Sequence, residues 1–141
     1  MLSYVWPILV VIGANTFYHI AAKSTPGNIN PFATLTVTYL TAALLSVILF
    51  CFSGSTKNLF DEVKSVNWTS FILGFAIVGL EFGYLQVYRV GWNVSTGSLV
   101  ANIGLAVTLI FIGALLYKET ITPAQLAGIA LCIAGMVLIN K

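Results

Sequence analysis

Charged residues are scarce in this chain of 141 residues: six Lys or Arg and four Asp or Glu make up 7% of it. A soluble domain carries about 25% charged residues. So few charged groups cannot cover the surface of a chain that is 59% hydrophobic. The scarcity excludes an ordinary cytosolic enzyme and a disordered tail, and the missing basic patches exclude a nucleic-acid binder. We therefore expect the bilayer to be the solvent of this protein.

The sequence also lacks the residue sets of enzymes and of metal sites. It has one His, no Ser/His/Asp arrangement and no glycine-rich phosphate loop after a strand. Its two cysteines, Cys51 and Cys132, have neither the CxxC spacing nor a His partner nearby. We expect neither catalysis nor a cofactor nor a bound metal.

Long apolar runs fill most of the chain. A helix that crosses about 30 Å of hydrocarbon needs roughly 20 apolar residues, and continuous runs of this length favour helices over a β-barrel. We predict an all-α integral membrane protein with a single membrane domain over residues 1–141. Its five predicted transmembrane helices cover residues 4–22, 31–52, 69–88, 95–117 and 123–139.

Two of the predicted helices have specific start signals. Asn30 and Pro31 are typical of a cap and a first helical residue, so we expect span 2 to begin there. Thr122 and Gln125 have the spacing of a capping box, with Pro123 in the first turn of span 5.

The longest connection, residues 53–68, has two interpretations. Its apolar residues recur at helical spacing between charged ones, which is typical of a short helix on the membrane surface. A solvated loop with a few apolar residues explains the same composition.

A protein with five spans has its two termini on opposite sides of the membrane. The Lys and Arg residues of this chain are then divided equally between the two sides. Excess positive charge normally marks the cytoplasmic side, so three residues against three leave the orientation unset. One explanation is insertion in both directions, which yields antiparallel pairs. The other is that a few charges cancel by chance, or that span hydrophobicity sets the orientation. The N-terminal side has Lys57, Lys64 and Lys118, and the opposite side has Lys23, Arg89 and Lys141.

Five helices are few for enclosing a solute pathway. Many secondary transporters consist of two inverted repeats around a site at the middle of the membrane. An antiparallel homodimer of this chain has the same arrangement, with ten helices around a two-fold axis in the membrane plane. The agreement between this ten-helix homodimer and the inverted-repeat transporters favours a transporter over a protein that acts as a monomer.

The C-terminal third has a recognisable pattern. Glu119 follows span 4, Thr122 and Gln125 come next, and Gly128 lies in the glycine-rich last helix. The sequence resembles the drug/metabolite transporter superfamily, and in particular a single EamA-type half of five spans. The last helix, with Gly128 and Gly135 seven residues apart, is also similar to the dimerising helix of small multidrug resistance transporters.

The resemblance is strongest over residues 95–140. It implies export of a metabolite or drug-like solute through the inner membrane of a bacterium or archaeon. Small multidrug resistance transporters have a membrane-embedded carboxylate in span 1, whereas span 1 of this chain has no acid.

Glu81, near the middle of span 3, is the sharpest candidate for a functional residue. A charge at the bilayer centre costs roughly 2.5–3.5 kcal/mol on insertion scales, and an apolar surrounding favours the protonated form of a carboxyl group. One interpretation is a carboxyl group that couples transport to protons and pairs with a cationic solute. The other is a neutral acid that holds helices together by hydrogen bonds, or an acid near the membrane surface if the bounds of span 3 are misplaced.

Further polar residues share faces of the predicted helices. Tyr84 lies on the face of Glu81, Asn15 shares a face with Tyr18 in span 1, and Ser98 shares one with Asn102 in span 4. All five are candidates for a substrate pathway. The alternative is a hydrogen bond between helices for Asn15 and Asn102, and anchoring at the membrane interface for Tyr84. The glycines predict close helix packing: they are Gly79 and Gly83 in span 3, and Gly128 and Gly135 in span 5.

From these observations we expect a secondary transporter that works by alternating access. It moves a small organic solute as an antiparallel homodimer in the lipid bilayer, and protons drive the movement through Glu81. The alternative is a membrane subunit that does not transport but pairs with another protein, such as the partner of a lipid-carrier flippase.

Overall fold

The structure of the chain is a computed structural model, and it describes residues 2–54 and 58–139. Lys57, Asn140 and Lys141, which entered the sequence arguments, lie outside these ranges. Within them the chain has six α-helices and no strand, so the prediction of an all-helical fold is confirmed. The helices are α1 (Leu2–Ser24), α2 (Pro31–Phe52), α3 (Leu59–Lys64), α4 (Trp68–Arg89), α5 (Val94–Leu116) and α6 (Pro123–Ile139).

Four helices are long and apolar enough to cross a membrane: α1, α2, α4 and α5. The helix α6 is equally apolar but has 17 residues. At 1.5 Å per residue it is about 25 Å long, near the lower limit for a span. The structure therefore supports four candidate spans and a shorter apolar helix.

The helix ends lie slightly outside the predicted spans at both ends of α1 and α4. The helix α1 continues through Lys23 to Ser24, and α4 continues to Arg89. Hydropathy locates the edge of the hydrocarbon, whereas a helix continues until its backbone turns. A long basic side chain in the last turn can reach the surface and interacts favourably with the helix dipole.

Both predicted start signals are present in the structure. The side chain of Asn30 accepts a hydrogen bond from the backbone N–H of Phe32 at 2.9 Å, and Pro31 opens α2. At α6, the N–H of Thr122 donates to the Gln125 side chain at 2.8 Å, and the N–H of Gln125 donates to the Thr122 hydroxyl at 3.3 Å. These reciprocal bonds form the capping box.

The 53–68 connection contains one short helix, α3, which follows Asn58. Lys64 pairs with Asp61 at 3.0 Å, and both side chains are exposed. Phe60 and Val63 are also exposed, on the same short helix. Residues 55–57 of this connection lie outside the described ranges.

The chain divides into two compact units, of which one contains α2, α3 and α4. In this unit α2 packs against α4. The guanidinium of Arg89, at the end of α4, donates to the carbonyl of Ile29 at 2.6 Å and to that of Pro26 at 3.4 Å. Because Ile29 lies two residues before the first residue of α2, the start of α2 lies beside the end of α4. The two helices are antiparallel.

The other unit contains α1, α5 and α6, and here α5 packs against α6. The ammonium group of Lys23 donates to the carbonyl of Trp92 at 2.8 Å, which joins the end of α1 to the segment before α5. The last turn of α5 closes on Gly113, whose carbonyl accepts from the N–H groups of Tyr117 and Glu119, each at 3.1 Å.

Candidate functional site

The acid predicted to be functional lies inside a long apolar helix. Glu81 is eight residues before Arg89 in α4, about 4 Å from the middle of the helix. Its side chain is half-buried, and it makes no ion pair and no hydrogen bond of good geometry with the described residues. The other acids, Asp61, Glu62 and Glu119, lie outside the long helices.

Tyr39 of α2 is the neighbour of this acid. Its hydroxyl lies next to the Glu81 carboxyl. The hydroxyl is buried but forms no hydrogen bond of good geometry with any described group. A hydroxyl and a carboxyl group therefore meet where α2 packs on α4.

Aromatic stacking supports this contact on the Arg89 side. The rings of Phe32 in α2 and Phe82 in α4 stack with centroids 5.2 Å apart and planes at 6°. Phe82 follows Glu81 directly, so the stack fixes the backbone that carries the acid. The arrangement positions the Glu81 carboxyl at a packed helix contact.

Tyr84 lies one turn after Glu81, in the same unit. Its ring stacks on that of Tyr88, with centroids 6.2 Å apart. Tyr88 and Leu85 are each only 5% exposed. The face of α4 that contains Glu81 therefore also contains the two buried residues of this helix.

The candidates on α1 belong to the other unit. Asn15 is exposed, and its side chain makes no hydrogen bond to the part of the chain that the structure describes. Tyr18 is half-buried, and its ring meets that of His19 edge to face at 5.2 Å. His19 is buried, with 7% of its surface exposed.

Ser98 on α5 uses its hydroxyl within its own helix. The hydroxyl donates to the carbonyl of Val94 at 2.6 Å. Four side chains of α2 do the same with the carbonyl four residues earlier: Thr36, Thr38, Thr41 and Ser46. Such bonds satisfy a hydroxyl donor in an apolar surrounding.

Asn102 lines a groove of about 360 Å³ between α5 and α6. Gln125, Gly128 and Cys132 contribute to the opposite wall, and most of the lining is apolar. The Asn102 side chain is exposed and makes no hydrogen bond to any residue within the described ranges. It is thus a polar group in an apolar groove that has room for another molecule.

The four glycines predicted to pack against helices lie next to open space. Beyond the adjacent residues and the backbone of its own helix, a methyl group added at Gly79, Gly83, Gly128 or Gly135 would meet no described atom within 4 Å. No described part of the chain uses these positions for a close helix contact.

The chain matches the EamA-like transporter family over residues 2–141. It belongs to this family. The resemblance stated from the sequence is therefore confirmed, and the EamA-family chain is an integral membrane protein of a class that transports small molecules. No curated protein and no solved structure matches the chain.

In this EamA-family chain the predicted site residues fall into two groups. Glu81 and Tyr84 share the α2–α3–α4 unit. The other unit holds the pathway candidates Asn15, Tyr18, Ser98 and Asn102. Tyr39 was not among the residues predicted from the sequence, because a single Tyr in an apolar span has no spacing signal.

Proposed function

We propose that this EamA-family protein is a secondary transporter of a small organic solute and works by alternating access. Glu81 of each copy couples the movement to protons. The observation that carries the proposal is a carboxyl group near the middle of an apolar helix, without an ion pair among the described residues. A carboxyl group there avoids the cost of a buried charge by holding a proton. It can release that proton when a solute arrives.

The chemistry of the acid suggests the class of solute. A carboxylate that has lost its proton pairs most strongly with a positive group that donates hydrogen bonds. We therefore propose a cationic or zwitterionic solute, exported in exchange for protons.

We further propose that the working unit is an antiparallel homodimer, in which α6 serves as the fifth span. The open faces at Gly128 and Gly135 support this proposal, since small residues allow the close helix contacts on which association in membranes depends. The equal numbers of Lys and Arg on the two sides are compatible with insertion in both directions.

The amides of Asn15 and Asn102 support a polar pathway or an interface. Each lies within about 5 Å of the middle of its helix, exposed and without a hydrogen bond to the described chain. Leaving an amide unpaired in an apolar medium costs roughly 2–7 kcal/mol. We propose that solute, water in a cavity or the second copy pairs with them.

The experiment is uptake into liposomes that contain the purified protein. An acidic interior drives proton efflux, and the probes are ethidium as an aromatic cation and a radiolabelled amino-acid mixture as zwitterions. We expect the wild type to accumulate at least one probe and Glu81→Gln to lose this pH-driven uptake. The matched control is Glu62→Gln, which makes the same change on α3, outside the long helices.

Uptake that is still driven by the pH gradient in Glu81→Gln would refute the coupling role of Glu81. A wild type that accumulates neither probe would contradict the proposed solute class. Purification as a stable complex with a different membrane protein, with no crosslinked homodimer, would favour the interaction subunit instead.

A further inference from the structure

Tyr39 has a hydroxyl group that the described structure leaves unused. It is buried beside the Glu81 carboxyl and forms no hydrogen bond of good geometry with a described group. Buried hydroxyl groups usually have a partner, because burying one without a partner costs free energy. The adjacent carboxyl group offers that partner after a small rotation of either side chain.

The packing of α2 on α4 keeps the two groups close. The Arg89 guanidinium holds the start of α2 through the carbonyl of Ile29, and Phe32 stacks on Phe82 beside the acid. These contacts involve neither the Tyr39 hydroxyl nor the Glu81 carboxyl. The two groups therefore stay neighbours whether or not Glu81 carries a proton.

We propose that Tyr39 is a positioning residue for Glu81: it donates a hydrogen bond to the carboxylate once the proton has left. The proposal rests on the proton coupling proposed above. It assigns to Tyr39 the stabilisation of the deprotonated state in the interval before a solute binds.

The direction of the effect follows from hydrogen-bond chemistry. A carboxylate only accepts hydrogen bonds, and a phenol O–H can donate to it; the protonated acid offers a neutral partner instead. A bond to a charged acceptor is roughly twice as strong as one between neutral groups. Tyr39 should therefore favour the deprotonated form about tenfold.

Other titratable and charged groups around this contact are few. On α2, which packs on α4, there is no Asp, Glu, Lys, Arg or His, and Cys51 is twelve residues further along. On α4, Tyr84 and Tyr88 stack on each other and Arg89 binds carbonyl groups. The charged residues of α3 precede the start of α4, about 20 Å along the helix from Glu81: they are Asp61, Glu62 and Lys64.

The test measures the protonation of Glu81 by infrared spectroscopy of the full chain in liposomes. The carbonyl band of protonated carboxyl groups is followed during a pH titration, and subtraction of the Glu81→Gln spectrum isolates the band of Glu81. Tyr39→Phe removes only the hydroxyl. The matched control is Tyr117→Phe, which removes the same group from an exposed ring that follows α5.

We expect Tyr39→Phe to move the titration midpoint of Glu81 up by about one pH unit, and Tyr117→Phe to leave it in place. The pH profile of probe uptake should move by the same amount, which a loss of packing alone would not produce. An unshifted midpoint, or one that moves down, would overturn the role of Tyr39 but not that of Glu81. The absence of any titrating Glu81 band would overturn both proposals.

Discussion

Replacing Arg89 with Ala removes the guanidinium that joins the end of α4 to the chain before α2. The wild-type group donates at 2.6 Å to the carbonyl of Ile29 and at 3.4 Å to that of Pro26. A hydrogen bond from a charged group contributes about 1.5–3 kcal/mol to stability. The longer bond adds little because its distance exceeds the usual range.

We therefore expect Arg89→Ala to lower the free energy of unfolding by about 2 kcal/mol, or roughly thirtyfold in the equilibrium constant. The assay is SDS titration in mixed micelles, followed by tryptophan fluorescence. Lys64→Ala is the matched control, since it removes a cation that pairs at 3.0 Å with Asp61, both side chains being exposed to solvent. Exposed pairs contribute about 0–1 kcal/mol.

A loss for Arg89→Ala no larger than that of Lys64→Ala would refute this reasoning. It would mean that water replaces the guanidinium at the two carbonyl groups without cost. The start of α2 would then need another anchor on α4.

Substitutions at Thr122 and Gly113 test the α1–α5–α6 unit by the same stability measurement. Thr122→Ala should cost about 1 kcal/mol by removing the capping box of α6, whereas Thr122→Ser should cost much less, and equal losses would contradict the cap. At Gly113 an added Cβ would lie 2.6 Å from Oε2 of Glu119. Gly113→Ala should therefore be more favourable in the Glu119→Ala variant than in the wild type, with a difference of about 0.5–1 kcal/mol in the free energy of unfolding. The same effect of Gly113→Ala in both backgrounds would contradict the contact.

Helix starts could be predicted from the sequence because their causes are local. Asn30 caps a backbone group two residues away, and Thr122 and Gln125 satisfy each other within one turn. Long apolar runs likewise identify helices, since the bilayer requires internal hydrogen bonding. The exact helix ends were harder to predict, because α1 and α4 continue past their apolar runs to include Lys23 and Arg89.

Contacts between distant segments could not be predicted in the same way. The sequence marked Glu81 as costly to bury, but nothing in it placed Tyr39, more than forty residues earlier, beside that carboxyl. The contact depends on the register of α2 against α4, which Arg89 and the Phe32–Phe82 stack fix.

The inverted pair is tested most directly by labelling one loop position from each side of the membrane. Asn28 is exposed between α1 and α2. Asn28→Cys is made together with Cys51→Ala and Cys132→Ala, since both native thiols are exposed. We expect a membrane-impermeant maleimide to label about half of the copies from outside, and the rest only after the membrane is opened. Labelling of every copy from one side alone would contradict the antiparallel homodimer.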